Sequence, residues 1–497
     1  MTARPPSRLA SIAAPAILLL AVLAALALAS VRRSPPPEIR RSAPLTPATP
    51  AVYALRREAA KANLVICVID AARADHVGCY GYPRETTPSI DSLAKQSLVF
   101  RQHFSQYAST KPSTASLFTS QHADTHLAYG NNPIAEGTFT LAHGLEAAGF
   151  RTVMFSSNPN AAPGTGLGLD FQEVFDQRDV EPLVTKWDKL TLPQPLLSLF
   201  ESWLARHQQE RFFAYIHLDP PHQPYLQPPE MTRLFAGQRP PTFVRGGFEF
   251  PVGDRKTLAS SIHPPLPEWV NLYDANLRFA DWAVGELSRL LSEAGELEDT
   301  VLVITSDHGE AFGEHGYLWH ERGVYDELVH VPLIVRLPYG AGSGDVVGLT
   351  QTIDILPTVF DLLGVPYPRQ GIQGVSLLPL MARIASRVNE HIISRSDGAP
   401  PIYLVRNDKW SLMLWGNGRW RALYDLAADP GQRHNVLAQH RDVADHMVSQ
   451  FRRFTRTQRR PLLEFLDPRA TPTPVPEVGT EPSRQDRQRL RALGYLR

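Results

Sequence analysis

Two short apolar runs, each leading to an aspartate, restrict this chain more than any other feature. Asn63–Ile69 (NLVICVI) ends directly at Asp70, and Val301–Ile304 leads through Thr305 into Ser306-Asp307-His308-Gly309. Continuous apolar runs of this length, stopped by small or polar residues, are the pattern of strands buried on both faces of a parallel sheet. Open α/β sheets bind ligands beyond the carboxyl ends of their strands. If both strands lie in one parallel sheet, Asp70 and Asp307 converge on one point. An adjacent Asp and His there offer a hard oxygen and an imidazole to a divalent cation. Taken alone, each aspartate could cap a helix and His308 could be a loop residue. Two more histidines, His315 and His320, and partners elsewhere in the chain favour a metal site.

The rest of the sequence alternates in the same way. Helical patterns over 87–98, Thr138–Gly149, Leu196–Gln208, Trp269–Ala294 and Ile353–Leu363 are interleaved with apolar strands at Arg151–Phe155, Phe212–His217 and Val329–Leu337. Such alternation implies a parallel sheet with helices on both faces. Beyond this region come short alternating segments, Ile392–Ser396, Ile402–Val405, Trp410–Trp415 and Trp420–Leu423. These suggest a small antiparallel sheet, followed by a helix over Val436–Phe454. Residues 226–265 and 467–484 are rich in Pro and carry no clear periodicity; the first of these is read as a lid or substrate loop. Formal net charge is zero over the 497 residues, which leaves no basic footprint for nucleic acid. Cys67 sits in the first strand and Cys79 in a loop, so the two are expected as free thiols.

The N-terminus reads as a targeting segment. Arg4 and Arg8 precede an uncharged run, Leu9 to Val31, whose 23 residues suffice to span a bilayer as a helix. Residues 1–33 are therefore expected to be a membrane anchor. A cleaved signal is the alternative, with Ala27-Leu28-Ala29-Ser30 as its processing site. Both readings place the catalytic part on the extracytoplasmic side, periplasmic or extracellular, and a cleaved form would be secreted. A Pro-rich linker, 34–60, follows.

Within Tyr107–Ser120 (YASTKPSTASLFTS), Pro112 suits the first turn of a helix. Thr110 then lies at a helix N-terminus, where backbone N–H groups and the helix dipole favour an anion. That is a sound position for a hydroxyl nucleophile, although Thr110 or Ser109 could simply cap the helix. After the Phe212–His217 strand, prolines fix the loop His217-Leu218-Asp219-Pro220-Pro221-His222-Gln223-Pro224-Tyr225. They leave His222 at a strand end as a candidate anion ligand or proton donor.

Five stretches together resemble the sulfatase branch of the alkaline phosphatase superfamily. They are Asn63–Tyr82, Thr110–Ser120, His217–Tyr225, Thr305–Leu337, and the closing Leu423–Pro430 with Leu493–Leu496. The resemblance covers roughly 62–497. It implies an α/β, alkaline phosphatase-like fold: a mixed, mostly parallel sheet sandwiched by helices, with a small C-terminal antiparallel sheet subdomain. The catalytic domain would occupy 61–385 and the subdomain, with an irregular tail, 386–497. It further implies one divalent cation (Ca, Mg, Mn or Zn) held by Asp70, Asp307, His308 and the nucleophile, Thr110. His222 and His320 fall where the family binds the substrate anion and protonates the leaving oxygen.

The chain departs from that pattern in two places. Thr110 stands where the family carries the Cys or Ser converted to formylglycine, with Thr114 in place of a nearby Arg. The family's Gly-Lys-Trp-His stretch appears as Ser156-Ser157-Asn158-Pro159. Threonine cannot yield formylglycine, and a threonine sulfate ester has no route back through an aldehyde. A phosphothreonine, by contrast, is resolved by in-line attack at phosphorus. The expected activity is therefore hydrolysis of phosphate mono- or diesters, or phosphotransfer, with Thr110 as nucleophile. A sulfatase working without formylglycine and an inactive membrane-tethered binding protein are the alternatives. The expected substrate is a small-molecule, glycan or lipid head-group ester.

Overall fold

The computed structural model describes residues 49–458, apart from 136, 181–192, 224, 226, 237–241, 246–247, 252–266, 317, 321–322, 398–399 and 416–419. The 1–33 segment, most of the 34–60 linker, most of 226–265 and everything beyond 458 lie outside the described residues. Among the described residues, no helix is long and apolar enough to cross a membrane.

The central sheet has eight strands. In chain order these are β1 (Asn63–Ile69), β2 (Leu98–Phe104), β3 (Arg151–Ser156), β4 (Glu173–Phe175), β5 (Phe212–Leu218), β6 (Thr300–Thr305), β7 (Leu333–Arg336) and β8 (Gly344–Gln351). Their spatial order is β8-β2-β7-β6-β1-β5-β3-β4. From β6 to β4 every pairing is parallel. Only β7 runs against its neighbours, so the sheet is mixed and mostly parallel, as expected.

Side chains of β1 alternate between two apolar layers. Leu64, Ile66 and Val68 enter one, and Val65, Cys67 and Ile69 enter the other. The first layer is completed by α1 (Pro50–Ala59), α3 (Thr110–Thr119), α4 (Leu141–Ala147) and α7 (Ile355–Leu363). The second takes α2 (Pro88–Ala94), α5 (Pro193–His207) and α6 (Pro267–Glu293). Helices thus cover both faces. The C-terminal strands β9 (Ile392–Arg395), β10 (Ile402–Arg406), β11 (Trp410–Trp415) and β12 (Trp420–Asp425) form an antiparallel sheet in that order. One of its faces meets Phe104, Val324 and Val329, and the other carries α8 (Arg441–Thr455). Both cysteines are free, and Cys67 is buried.

The structure corrects the sequence reading at five places. Residues 50–59, assigned above to the linker, form α1. Thr49 caps it through Val52 N–H, Pro50 opens it, and Val52 and Ala59 are buried. Strand β2 was not read because Arg101, Gln102 and His103 break its apolar run. Strand β8 was not read because it is an edge strand with glycines and an irregular register at 346–349. Helix α2 correspondingly stops at Ala94, and β7 begins only after Pro332.

Candidate metal and nucleophile site

Four adjacent parallel strands deliver the site. Asp70 follows β1, Asp307 and His308 follow β6, His217 lies near the end of β5, and Asn158 lies just past β3. Register places Val68 beside both His217 and Thr305, so these termini end at one level.

The loops are tied to each other. Ala71 N–H donates to Asp307 Oδ1 at 3.1 Å, and Ala72 N–H donates to Ser306 Oγ at 2.9 Å. Tyr273 of α6 donates to Ala71 O and accepts from Arg73 N–H, each at 2.9 Å. The Ser105 hydroxyl donates to the Asp307 carbonyl and lies 3.0 Å from Ser113 Oγ. This fixes the start of α3 against Asp307.

Gly309 makes the β6 exit possible. A Cβ there would stand 2.1 Å from the Glu327 carbonyl oxygen, while Gly309 N–H bonds Leu328 O at 2.8 Å. Gly309→Ala is therefore expected to push the Asp307–His308 loop out of place. It should cost about 1–3 kcal/mol and lower activity, as thermal denaturation and an esterase assay of the same preparation would show.

The six residues named from sequence come together. Thr110, the first residue of α3, is fully buried, with its hydroxyl 3.2 Å from His308 Nε2. His308 Nε2 stands 3.5 Å from Asp70 Oδ1 and 3.6 Å from Asp307 Oδ2. The His308 and His320 rings are 4.4 Å apart, and those of His222 and His320 5.0 Å apart. His320 Nδ1 meets Glu310 Oε1 at 3.1 Å. His315, in contrast, is elsewhere: it pairs with Glu327 at 2.6 Å and stacks on Tyr325. Ser109 occupies the cap position of α3 without capping it. Its hydroxyl goes instead to Asp397, just after β9, at 3.0 Å, and Tyr107 donates to the same carboxylate at 2.7 Å.

Sequence reasoning missed four participants. His217 Nε2 lies 3.2 Å from Asp70 Oδ2 and 4.0 Å from Asp307 Oδ2. Asn158 donates its amide to Asp70 Oδ2. Asp219 and Glu310 are also buried here. The signal for His217 is its place at the end of an apolar strand, two residues before Asp219; the sequence reading gave it no role.

The electrostatics call for a cation. Burial, and then the charge of Asp307, pushes Asp70 well above the usual carboxylate range against the pull of His308 and Asn158. Burial also acts to raise Asp307, but His308, His217, the Ala71 N–H and the Thr110 hydroxyl hold it below its ordinary value. Burial, then Asp70 and Asp307, raises Asp219. Burial pushes His217 down to about 4, so this imidazole is neutral at pH 7. Burial, then His320 and His308, likewise keeps His222 neutral. Oδ1 of Asp70, Oδ1 of Asp219 and Oδ2 of Asp307 are buried with no hydrogen-bond partner among the described residues. Uncompensated buried carboxylate oxygens are costly, and a divalent cation would offset that cost. Asp70, His217 and Asp307 bring ligand atoms within 4.8 Å of one another. The residues present therefore fit such an ion.

Comparison with known proteins follows the same line. The sulfatase family model matches residues 62–365, and the model of the N-sulphoglucosamine sulphohydrolase C-terminal region matches 313–457. A stretch of 192 residues is 29% identical to arylsulfatase K of Bos taurus, covering 36% of this chain and 35% of that protein. Another, of 201 residues, is 30% identical to an N-acetylglucosamine-6-O-sulfatase of Bacteroides thetaiotaomicron, covering 38% and 35%. The chain thus aligns with about a third of the length of these relatives. The phosphonate monoester hydrolase of Agrobacterium radiobacter shares the fold, with a TM-score of 0.65 at 20% identity over 79% of this chain and 94% of that one. The family model spans every strand of the central sheet, and the chain belongs to the sulfatase family.

Proposed function

We propose that this protein hydrolyses phosphate or phosphonate esters with Thr110 as its nucleophile, or transfers the phosphoryl group to an alcohol. The observation that carries this is the Thr110 hydroxyl itself. It is buried at the N-terminus of α3, 3.2 Å from His308 and beside two partner-seeking carboxylates. By the resemblance drawn from sequence, it stands where the family is expected to carry a convertible Cys or Ser.

One divalent cation held by Asp70, Asp307, His308 and Thr110 would lower the hydroxyl's pKa and offset charge on the transferred group. Thr110 oxygen attacks phosphorus, the bond to the leaving oxygen breaks, and His320, beside neutral His222, protonates that oxygen. Water, or an acceptor alcohol, then attacks phosphothreonine and restores the hydroxyl. The α3 N-terminus supports the anion throughout.

The 1–33 segment would hold this domain against the outer face of a membrane, within reach of a small-molecule, glycan or lipid head-group ester. Sulfate esters form the second reading, which the names of the relatives favour. A binding role without turnover has less support, because a binding module needs neither His222 nor His320 beside the hydroxyl.

The test is a panel of aryl phosphomonoesters, phosphodiesters, phosphonates and sulfates at matched leaving-group pKa. Phosphorus esters should be turned over at least tenfold faster than sulfates. Faster turnover of the sulfates would sink the preference for phosphorus.

A further inference from the structure

We infer that Tyr225 and Trp319, seated on Trp269, form a wall on which the leaving group stacks, and that this wall selects esters whose alcohol is a flat ring. The inference rests on the reading that Thr110 attacks an ester in line, and it names the class of alcohol released.

An in-line displacement holds the attacking and leaving oxygens on opposite sides of phosphorus. Thr110 comes from α3, whose Ala115, Leu117 and Phe118 pack in the first layer. Trp269 belongs to the second layer, and Tyr225 and Trp319 pack against that layer. The histidines of the leaving side run on into these rings. Trp319 directly precedes His320, and Tyr225 follows His222 by three residues.

Tyr225 and Trp319 meet Trp269 edge-on, with ring centroids 6.3 and 6.0 Å away and interplanar angles of 76° and 73°. These are T-shaped aromatic pairs. Trp269 is buried, whereas Tyr225 and Trp319 are half-buried and retain exposed ring surface. A fixed floor thus carries two rings suited to a flat face, whether an aryl ring or the C–H face of a pyranose.

The backbone at Trp319 is unusual. Trp319 pairs with Ala311 in a short antiparallel hairpin, yet its φ is +66°. For so bulky a residue this left-handed conformation is an outlier, and such outliers cluster at ligand clamps. Glycine would sit there without strain. Packing alone gives no reason for an indole at this position; a ligand does.

Gln223 separates the two kinds of ring. It is 8% exposed, and its Oε1 has no hydrogen-bond partner among the described residues. Buried polar atoms are normally paired. A hydroxyl carried by a pyranose would supply the donor, and an unsubstituted aryl ring would not.

The full chain is assayed on two pairs of esters. One is a pyranose 6-phosphate against the corresponding open-chain hexitol 6-phosphate. The other is phenyl phosphate against the phosphate of an acyclic fluorinated alcohol of equal acidity. The ring member should be preferred about tenfold in kcat/KM, mainly through KM. Trp319→Gly, which suits the backbone, should erase that preference, and Trp319→Phe should retain part of it. Gln223→Leu should lower the pyranose preference more than the phenyl one. Tyr225→Leu asks the same question if the glycine variant does not fold. A preference confined to the phenyl pair supports the wall and assigns an aryl alcohol. A wild type without ring preference overturns the inference. So does an equal loss on both members of a pair in Trp319→Gly, which would make Trp319 a prop for His320. Faster turnover of the matching sulfates, with ring preference intact, overturns only the choice of phosphorus. Fluorescence titration with phenylphosphonate and methylphosphonate reads the wall without turnover. Tighter binding of the first, lost in Trp319→Gly, would uphold the wall even if no ester were hydrolysed; equal binding would remove it.

Discussion

Thr110→Ala is expected to abolish turnover of phosphorus esters, lowering kcat by about 10⁴-fold or more, while Thr110→Ser keeps a measurable fraction. Removing a covalent nucleophile takes away the whole two-step route, and losses of that order are typical when such a group is deleted. Ten thousandfold corresponds to about 5.4 kcal/mol of barrier. The substitution is small. Thr110 is the first residue of α3, the first layer's apolar contacts come from Ala115, Leu117 and Phe118 of that helix, and Ser105 and Ser113 hold its start by bonds that Thr110 does not make. Folding should therefore survive, and circular dichroism with thermal denaturation would confirm that an inactive variant is intact. A wild-type protein quenched in mid-turnover should carry phosphate on Thr110, seen by peptide mass spectrometry. Full activity in the alanine variant would remove Thr110 from the chemistry.

Asp307→Asn should abolish both activity and cation binding, with little loss of fold. Asp307 Oδ1 accepts the Ala71 and His308 N–H groups at 3.1 and 2.9 Å, and an asparagine oxygen can accept the same pair. Oδ2, which has no donor among the described residues, would be replaced by an NH₂ that repels a cation. In the wild type, metal at 100 times its Kd should add about 2.7 kcal/mol of stability, by preferential binding to the folded state. The variant should show almost none of that increment in a thermal shift. Its metal-free form should still fold, because both N–H bonds to the retained oxygen persist. An undiminished metal-induced shift would place the cation elsewhere.

Much of this was legible because buried parallel strands announce themselves. NLVICVI and VLVIT are apolar on both faces, and each stops at a residue that cannot stay in the sheet interior unpaired. That places Asp70, Asp307 and His308 at strand ends from the sequence alone, and the alternation around them gives the layers. Strands β2 and β8 were illegible for the opposite reason: one carries Arg101 and His103, and the other is a glycine-bearing edge. His217 was hidden by its neighbours. In a strand as apolar as FFAYIHL a histidine looks like filling, and only register against Val68 shows that it ends beside Asp70. The hold of Asp397 on the entry to α3 could not be read at all, since it depends on a contact spanning nearly three hundred residues of sequence.

That last contact changes what a boundary near residue 385 means. The segment leading into the nucleophile is clasped by Tyr107 and Ser109 to a carboxylate that the small sheet supplies. The C-terminal quarter of the chain is thus a hand on the trigger rather than an appendage. Two stretches that look separable in sequence share one working part, and neither holds it alone.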